Sequence, residues 1–181
     1  MGKKDARGDD IENYYGQHIS SNGERLWDPL GVNLADYGRE QLNVSIAENP
    51  LYRNEIVFAW TENIAGMGDI LTQKYSLTGI PQWGDLGNYV VQKDSMQTSP
   101  YLARFDNGGM VIAWTDYYNT ITEESNINYK YIKSDGNFVC DNPGGYVLCD
   151  AKKNQYNPMI AIVGNEAFGI VTGKQIGRAH V

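Results

Sequence analysis

The chain repeats itself, and that constrains its fold more than any other feature. HISSNGERLWDPLGVNLA from His18, KYSLTGIPQWGDLGNYVV from Lys74 and YIKSDGNFVCDNPGGYVL from Tyr131 align along their lengths. Their turn glycines Gly23, Gly79 and Gly136 lie 56 and 57 residues apart. Trp27, Trp83 and Cys140 keep the same steps, as do Gly31, Gly87 and Gly144. A second anchor follows each segment: QLNVSIA from Gln41, QTSPYLA from Gln97 and QYNPMIA from Gln155, spaced 56 and 58. Two anchors recurring in one order mark a chain built by stacking copies of one supersecondary unit.

Within a period the pattern reads as four strands. Asn43 to Glu48 is short and partly alternating, and Asn49-Pro50 then turns the chain into Glu55 to Thr61, EIVFAWT, which is continuously apolar. A strand apolar on both sides must be covered on both faces. Met110 to Thr115, MVIAWT, repeats the pattern. Ile70 to Ser76 is the third strand, and Asn22-Gly23, Thr78-Gly79 and Asp135-Gly136 supply the turn that folds a fourth strand back through Trp27 or Trp83. Four antiparallel strands per 56 to 58 residues is the size of a propeller blade, and radial stacking explains the doubly apolar strands. A plain β-sandwich would carry similar strands but leaves the period unexplained. The expected fold is therefore all-β: a partial β-propeller of four-stranded antiparallel blades. Residues 1–27 are in phase with the end of a blade and 155–174 with the opening strands of another, so the reading is of a propeller truncated at both ends over 1–175. Residues 176–181 complete a stretch, QIGRAHV, that matches a sequencing-library adapter translated in frame, and they are set aside as non-native.

Composition narrows the function classes. Fifteen Lys plus Arg stand against 22 Asp plus Glu, a net charge of −7, and the basic residues are scattered, which disfavours nucleic acid as a partner. No apolar run is long enough for a membrane span. The two cysteines, Cys140 and Cys149, lack metal-ligand spacing; they are either bridged or two small half-buried side chains.

The unit carried by GVNLA, QLNVSIA, VFAWTEN, GDILTQKYSLTG and QW, and again by GNYVV, QTSPYLA, VIAWTDY, SNINYKYIKSDG and QYNPMIA, resembles the tandem repeats of large secreted Bacteroidetes-type surface proteins, which often carry a type IX secretion sorting signal. The resemblance spans roughly residues 11–173, with Cys140 in place of the recurrent Trp and Val44 in place of Pro. It implies an extracellular or cell-surface location. A weaker resemblance, to quinoprotein-type propeller repeats, rests on Thr78-Gly79-Ile80-Pro81-Gln82-Trp83, a turn in which Trp packs between blades; it implies no cofactor.

Several residues carry chemistry that could serve a ligand. Trp60 and Trp114 end equivalent apolar strands beside Glu62 and Asp116, an aromatic-carboxylate pairing that suits sugar stacking but whose recurrence also suits packing. Tyr117 and Tyr118, with Tyr14, Tyr15, Tyr129 and Tyr131, offer hydrogen-bonding surface to a polysaccharide or protein partner, and are equally ordinary strand residues. Asp9, Asp10, Glu123 and Glu124 are acidic but follow no recognisable Ca²⁺-loop spacing, so no metal site is assigned. His18 alone cannot assemble a triad or a zinc site. No catalytic residue and no cofactor are expected. The main expectation is a non-catalytic extracellular scaffold or binding module for polysaccharide or protein. The alternative is a fragment of a propeller glycoside hydrolase of sialidase-like type, whose two carboxylates sequence cannot locate. Against it, Arg7, Arg25, Arg39, Arg53 and Arg104 fall at different phases of the repeat.

Overall fold

The computed structural model describes residues 13–34, 38–48, 54–64, 66–119, 124–139, 142–149, 151 and 154–173. The segment 176–181 and Cys140 lie outside the described residues, and Cys149 carries a free thiol.

All regular structure among these residues is β. Strands β1 (Tyr15–Gly16) and β2 (Val32–Asn33) pair with each other. Strands β3 (Glu40–Glu48), β4 (Glu55–Ile64), β5 (Met67–Ser76) and β6 (Asn88–Val91) form one four-stranded antiparallel sheet in sequence order. Strands β7 (Gln97–Arg104), β8 (Met110–Asn119), β9 (Glu124–Ile132) and β10 (Tyr146–Cys149) form a second of the same design. Strands β11 (Gln155–Val163) and β12 (Glu166–Gly173) make a closing hairpin. Tyr15 faces Asn33 in the first pair as Leu71 faces Tyr89 in the sheet of β3–β6, each 56 residues on, so β1 and β2 are the third and fourth strands of their sheet.

Each opening strand is bent in the same place. Asn43, Ser99 and Asn157 have φ of 54°, 54° and 50°, and the pairing to the second strand slips there each time. A bulge adds one residue and a local twist, so three copies of it 56 and 58 residues apart repeat the period in backbone geometry.

The continuously apolar strands are covered on both faces, as their composition requires. On β4, Phe58 and Trp60 pack with Leu34, Leu71 and Tyr75 toward the preceding pair, while Val57 and Ala59 point the other way. There they meet Met110, Ile112 and Trp114 of β8, whose opposite face, Val111 and Ala113, joins Ile127 and Ile160 toward the closing hairpin. Trp60 and Trp114 thus occupy equivalent positions in successive sheets.

The turn after the third strand binds the sheets together. The Trp27 indole donates to the Leu77 carbonyl at 2.6 Å, and His18 lies edge-on to that ring with Nδ1 3.2 Å from the same carbonyl. One repeat later Lys74 sits over the Trp83 ring and donates to the Ser134 carbonyl at 3.4 Å. Gln17 and Gln73 each accept from the amide of their own sheet's Trp, at 3.0 and 2.9 Å. His18 is accounted for by this device.

Two details differ from the sequence reading. The fourth strands are β6 and β10, and Trp83 lies before its strand, between an isolated bridge at Pro81 and the positive-φ glycines Gly84 and Gly87 that break the extension. The third member of the glycine series is Gly145 rather than Gly144: φ is +82°, +69° and +75° at Gly31, Gly87 and Gly145. A Cβ on any of the three would fall 2.5 to 2.9 Å from a third-strand carbonyl, so the turn requires glycine at that step.

Candidate functional site

The buried charges gather where the second and third strands meet and the fourth strand crosses to the next sheet. Trp60-Thr61-Glu62 and Trp114-Thr115-Asp116 carry one carboxylate each to this end. Glu62 is 1% exposed. Its Oε2 accepts from Arg39 Nη1 at 2.8 Å and from the Tyr89 hydroxyl at 3.1 Å, and Arg39 also reaches that hydroxyl at 3.3 Å. Burial, followed by the Glu62 charge, pushes the Tyr89 hydroxyl above its usual range, so it stays a donor. In the next sheet Asp116 accepts from Lys93 Nζ at 2.5 Å, Asn128 at 2.8 Å and Gln97 at 3.2 Å. A buried carboxylate is tolerated when a cation and hydrogen bonds saturate it, and both are.

Across the strand pair from Glu62 stands a second acid, Asp69. Its equivalents one repeat before and after are Asn13 and Asn126. Asp69 is 5% exposed, and one oxygen accepts the Lys93 amide at 3.2 Å. Burial pushes its carboxyl above the usual range, the Lys93 amide and Gln92 side chain oppose that, and the neighbouring Glu62 charge adds to it. Directly opposed residues of an antiparallel pair stand side by side on one face. The two acids therefore share a site, Glu62 held by a guanidinium and Asp69 favoured toward its protonated form. Arg39 is 43% exposed in its side chain and Tyr89 is 39% exposed, so one wall of the site meets solvent.

The residues singled out from sequence scatter around this site. The rings of Trp60 and Trp114, 2% and 0% exposed, are enclosed between sheets and present no open face. Tyr117 is half-buried against Tyr156 at 6.3 Å, and Tyr118 is 57% exposed. Both follow Asp116 on β8, so they border the same end of the second sheet. Asp9, Asp10 and Glu123 lie outside the described residues, and among those described no group of three or more His, Cys, Asp and Glu could hold a metal ion. Among the described residues no helix is long and apolar enough to cross a membrane. Sequence reasoning missed Asp69; the signal was an acid in one copy where the other two carry Asn.

No protein-family model matches the chain, and no curated protein matches it. Among solved structures it is similar to the endo-arabinase of Bacteroides thetaiotaomicron, with a TM-score of 0.50 at 14% sequence identity over 88% of this chain. The chain spans 64% of the length of that enzyme. At that identity the similarity concerns the fold, and with the stacked four-stranded antiparallel sheets it makes this an all-β chain of β-propeller architecture.

Proposed function

We propose that the chain belongs to a polysaccharide-directed propeller of the glycoside-hydrolase kind, with Glu62 and Asp69 as its acid pair, acting outside the cell. The observation that carries the reading is the opposition of these two carboxyl groups in contrasting environments. Glycoside hydrolysis uses two carboxyl groups, one ionised and one protonated, and environments that separate two neighbouring acids assign those roles. Asp69 would donate a proton to the leaving oxygen and Glu62 would act as the carboxylate. Arg39 and Tyr89 would orient Glu62, and their partly exposed side chains would meet the sugar. Similarity to an endo-arabinase fold adds support, and arabinan is the first substrate to try.

A second reading, a non-catalytic binding module, is favoured by the saturation of Glu62 and Asp116 and by the enclosure of Asp69. Reducing-end release from arabinan and a panel of other polysaccharides separates the two. Turnover abolished by both Glu62→Gln and Asp69→Asn supports the hydrolase. Retention on a polysaccharide gel without turnover supports the binding module and removes the acid pair from the account.

A further inference from the structure

We infer that Lys93 and Asp116 are positioning residues for Asp69, linking the acid of one sheet to a buried carboxylate of the next through the segment that joins the two sheets. The functional meaning of this link rests on the reading of Glu62 and Asp69 as an acid pair. Residues 92–96 carry the chain from β6 to β7. Within that segment Lys93 is held at both its backbone and its side chain. Its amide donates to Asp69 Oδ1 at 3.2 Å, and its ammonium donates to Asp116 Oδ2 at 2.5 Å. The first partner lies on β5 and the second on β8, so one residue spans the junction.

The Asp116 end is the firmer one. That carboxylate is 4% exposed in its side chain and also accepts from Asn128 at 2.8 Å and Gln97 at 3.2 Å. Gln97 in turn donates to the Ser95 carbonyl at 2.8 Å and to the Ser95 hydroxyl at 2.9 Å, and the Tyr117 amide donates to the Met96 carbonyl at 2.9 Å. The joining segment is therefore moored to the sheet of β7–β10 at Lys93, Ser95 and Met96. The sheet of β3–β6 comes up close against it: a Cβ on Gly68, the residue before Asp69, would fall 2.6 Å from the Gln97 carbonyl oxygen. Glu62 is held differently, by Arg39 from the segment that enters its own sheet. Fixing one acid from its own sheet and the other from the next keeps their environments distinct, as separate roles require.

The charge balance at Asp69 shows what the anchor controls. Burial disfavours the charged form, and Glu62 on β4 adds to that. The Lys93 amide opposes burial most, followed by the Gln92 side chain, with the Arg39 guanidinium also favouring the charge. A hydrogen bond to the ionised form favours ionisation, and a backbone donor stays aimed only while its segment is fixed. Asp116 supplies that fixing by holding the Lys93 ammonium.

Carbon-13 NMR titration of the Asp69 carboxyl in the full chain tests this, with Asp69→Asn giving the assignment. Lys93→Met replaces a side chain 34% exposed and should keep the far-ultraviolet spectrum of the parent. In that variant the Asp69 midpoint should move up, and the amide at position 93 should exchange roughly tenfold faster or more. Lys93→Arg, which keeps a cation on Asp116, should return both to the parent's behaviour. In an Asp116→Asn background, Lys93→Met should move the midpoint no further, because the anchor is already gone. An equal shift in both backgrounds would mark a bare charge effect and overturn the inference, as would an unmoved midpoint or unchanged exchange at position 93. The titration reads Asp69 whether or not the chain cleaves a polysaccharide. Where it does, the alkaline limb of turnover should climb with the midpoint, since the donor must carry its proton; a limb that stays fixed would remove Asp69 from the acid pair and leave the coupling standing.

Discussion

Tyr75 ties the first strand pair to the first complete sheet, and its removal should give a pH-dependent loss. The hydroxyl donates to the Leu34 carbonyl at 2.6 Å, the ring meets Phe58 edge-on at 5.9 Å, and the residue is 5% exposed. Tyr75→Phe keeps the ring and strands a buried carbonyl, a change that costs about 1–2 kcal/mol. Burial pushes the Tyr75 hydroxyl up to about 12 from an ordinary value of 10.0. A group whose folded pKa is raised contributes stability that is complete below the unfolded value and lost as pH rises through the folded one, so the loss falls between about 10 and about 12. Two units correspond to at most about 2.7 kcal/mol, and solvent screening brings this to on the order of 1–2 kcal/mol. Urea unfolding of the parent and of Tyr75→Phe at pH 8 and 11.5 measures it: the parent should lead by about 1–2 kcal/mol at pH 8 and lose most of that lead at the higher pH. A lead unchanged across that range would refute the reasoning.

Other substitutions probe the same interfaces. Arg104 is 8% exposed, none of its three guanidinium nitrogens has a hydrogen-bond partner, and the Glu55 carboxylate stands 3.8 Å away; Arg104→Met should therefore raise stability by about 1–3 kcal/mol in urea titration. Gly145→Ala forces a Cβ into a φ of +75° and within 2.8 Å of the Tyr129 carbonyl, so it should cost about 1–3 kcal/mol, read as a lowered Tm. Because the Asp69 carboxyl is raised, its contribution to stability is present below the unfolded value and lost as pH rises through the folded one; Asp69→Asn should be more stable than the parent at pH 7 and equal to it at pH 3. Ser125→Ala removes the hydroxyl that donates to the Gln155 carbonyl at 2.8 Å and should cost about 1 kcal/mol in thermal unfolding.

Much of the fold was legible because its physics is periodic. EIVFAWT and MVIAWT could only be strands covered on both faces, and the structure covers both. The fourth strand was misplaced because Trp83 reads as a strand residue by type, while its ring packs against the next sheet at Gly136 and the glycines at 84 and 87 end the extension around it. Gly144 and Gly145 are adjacent and chemically identical, so only backbone geometry distinguishes the one that must approach Tyr129. The site was less legible for the opposite reason: a repeat displays what is shared, and Asp69 matters by departing from Asn13 and Asn126. Its meeting with Glu62 depends on hairpin register, which the strand sequences leave open.

Amide hydrogen exchange resolved by peptide tests most directly whether this chain forms one sheet repeatedly and stacks the copies. Segments 55–61 and 110–115 should show matching protection, the slowest in the molecule, because each is the second strand of a sheet with neighbours on both faces. Rates in these two segments that differ by orders of magnitude, or that approach those of the connecting turns, would contradict it.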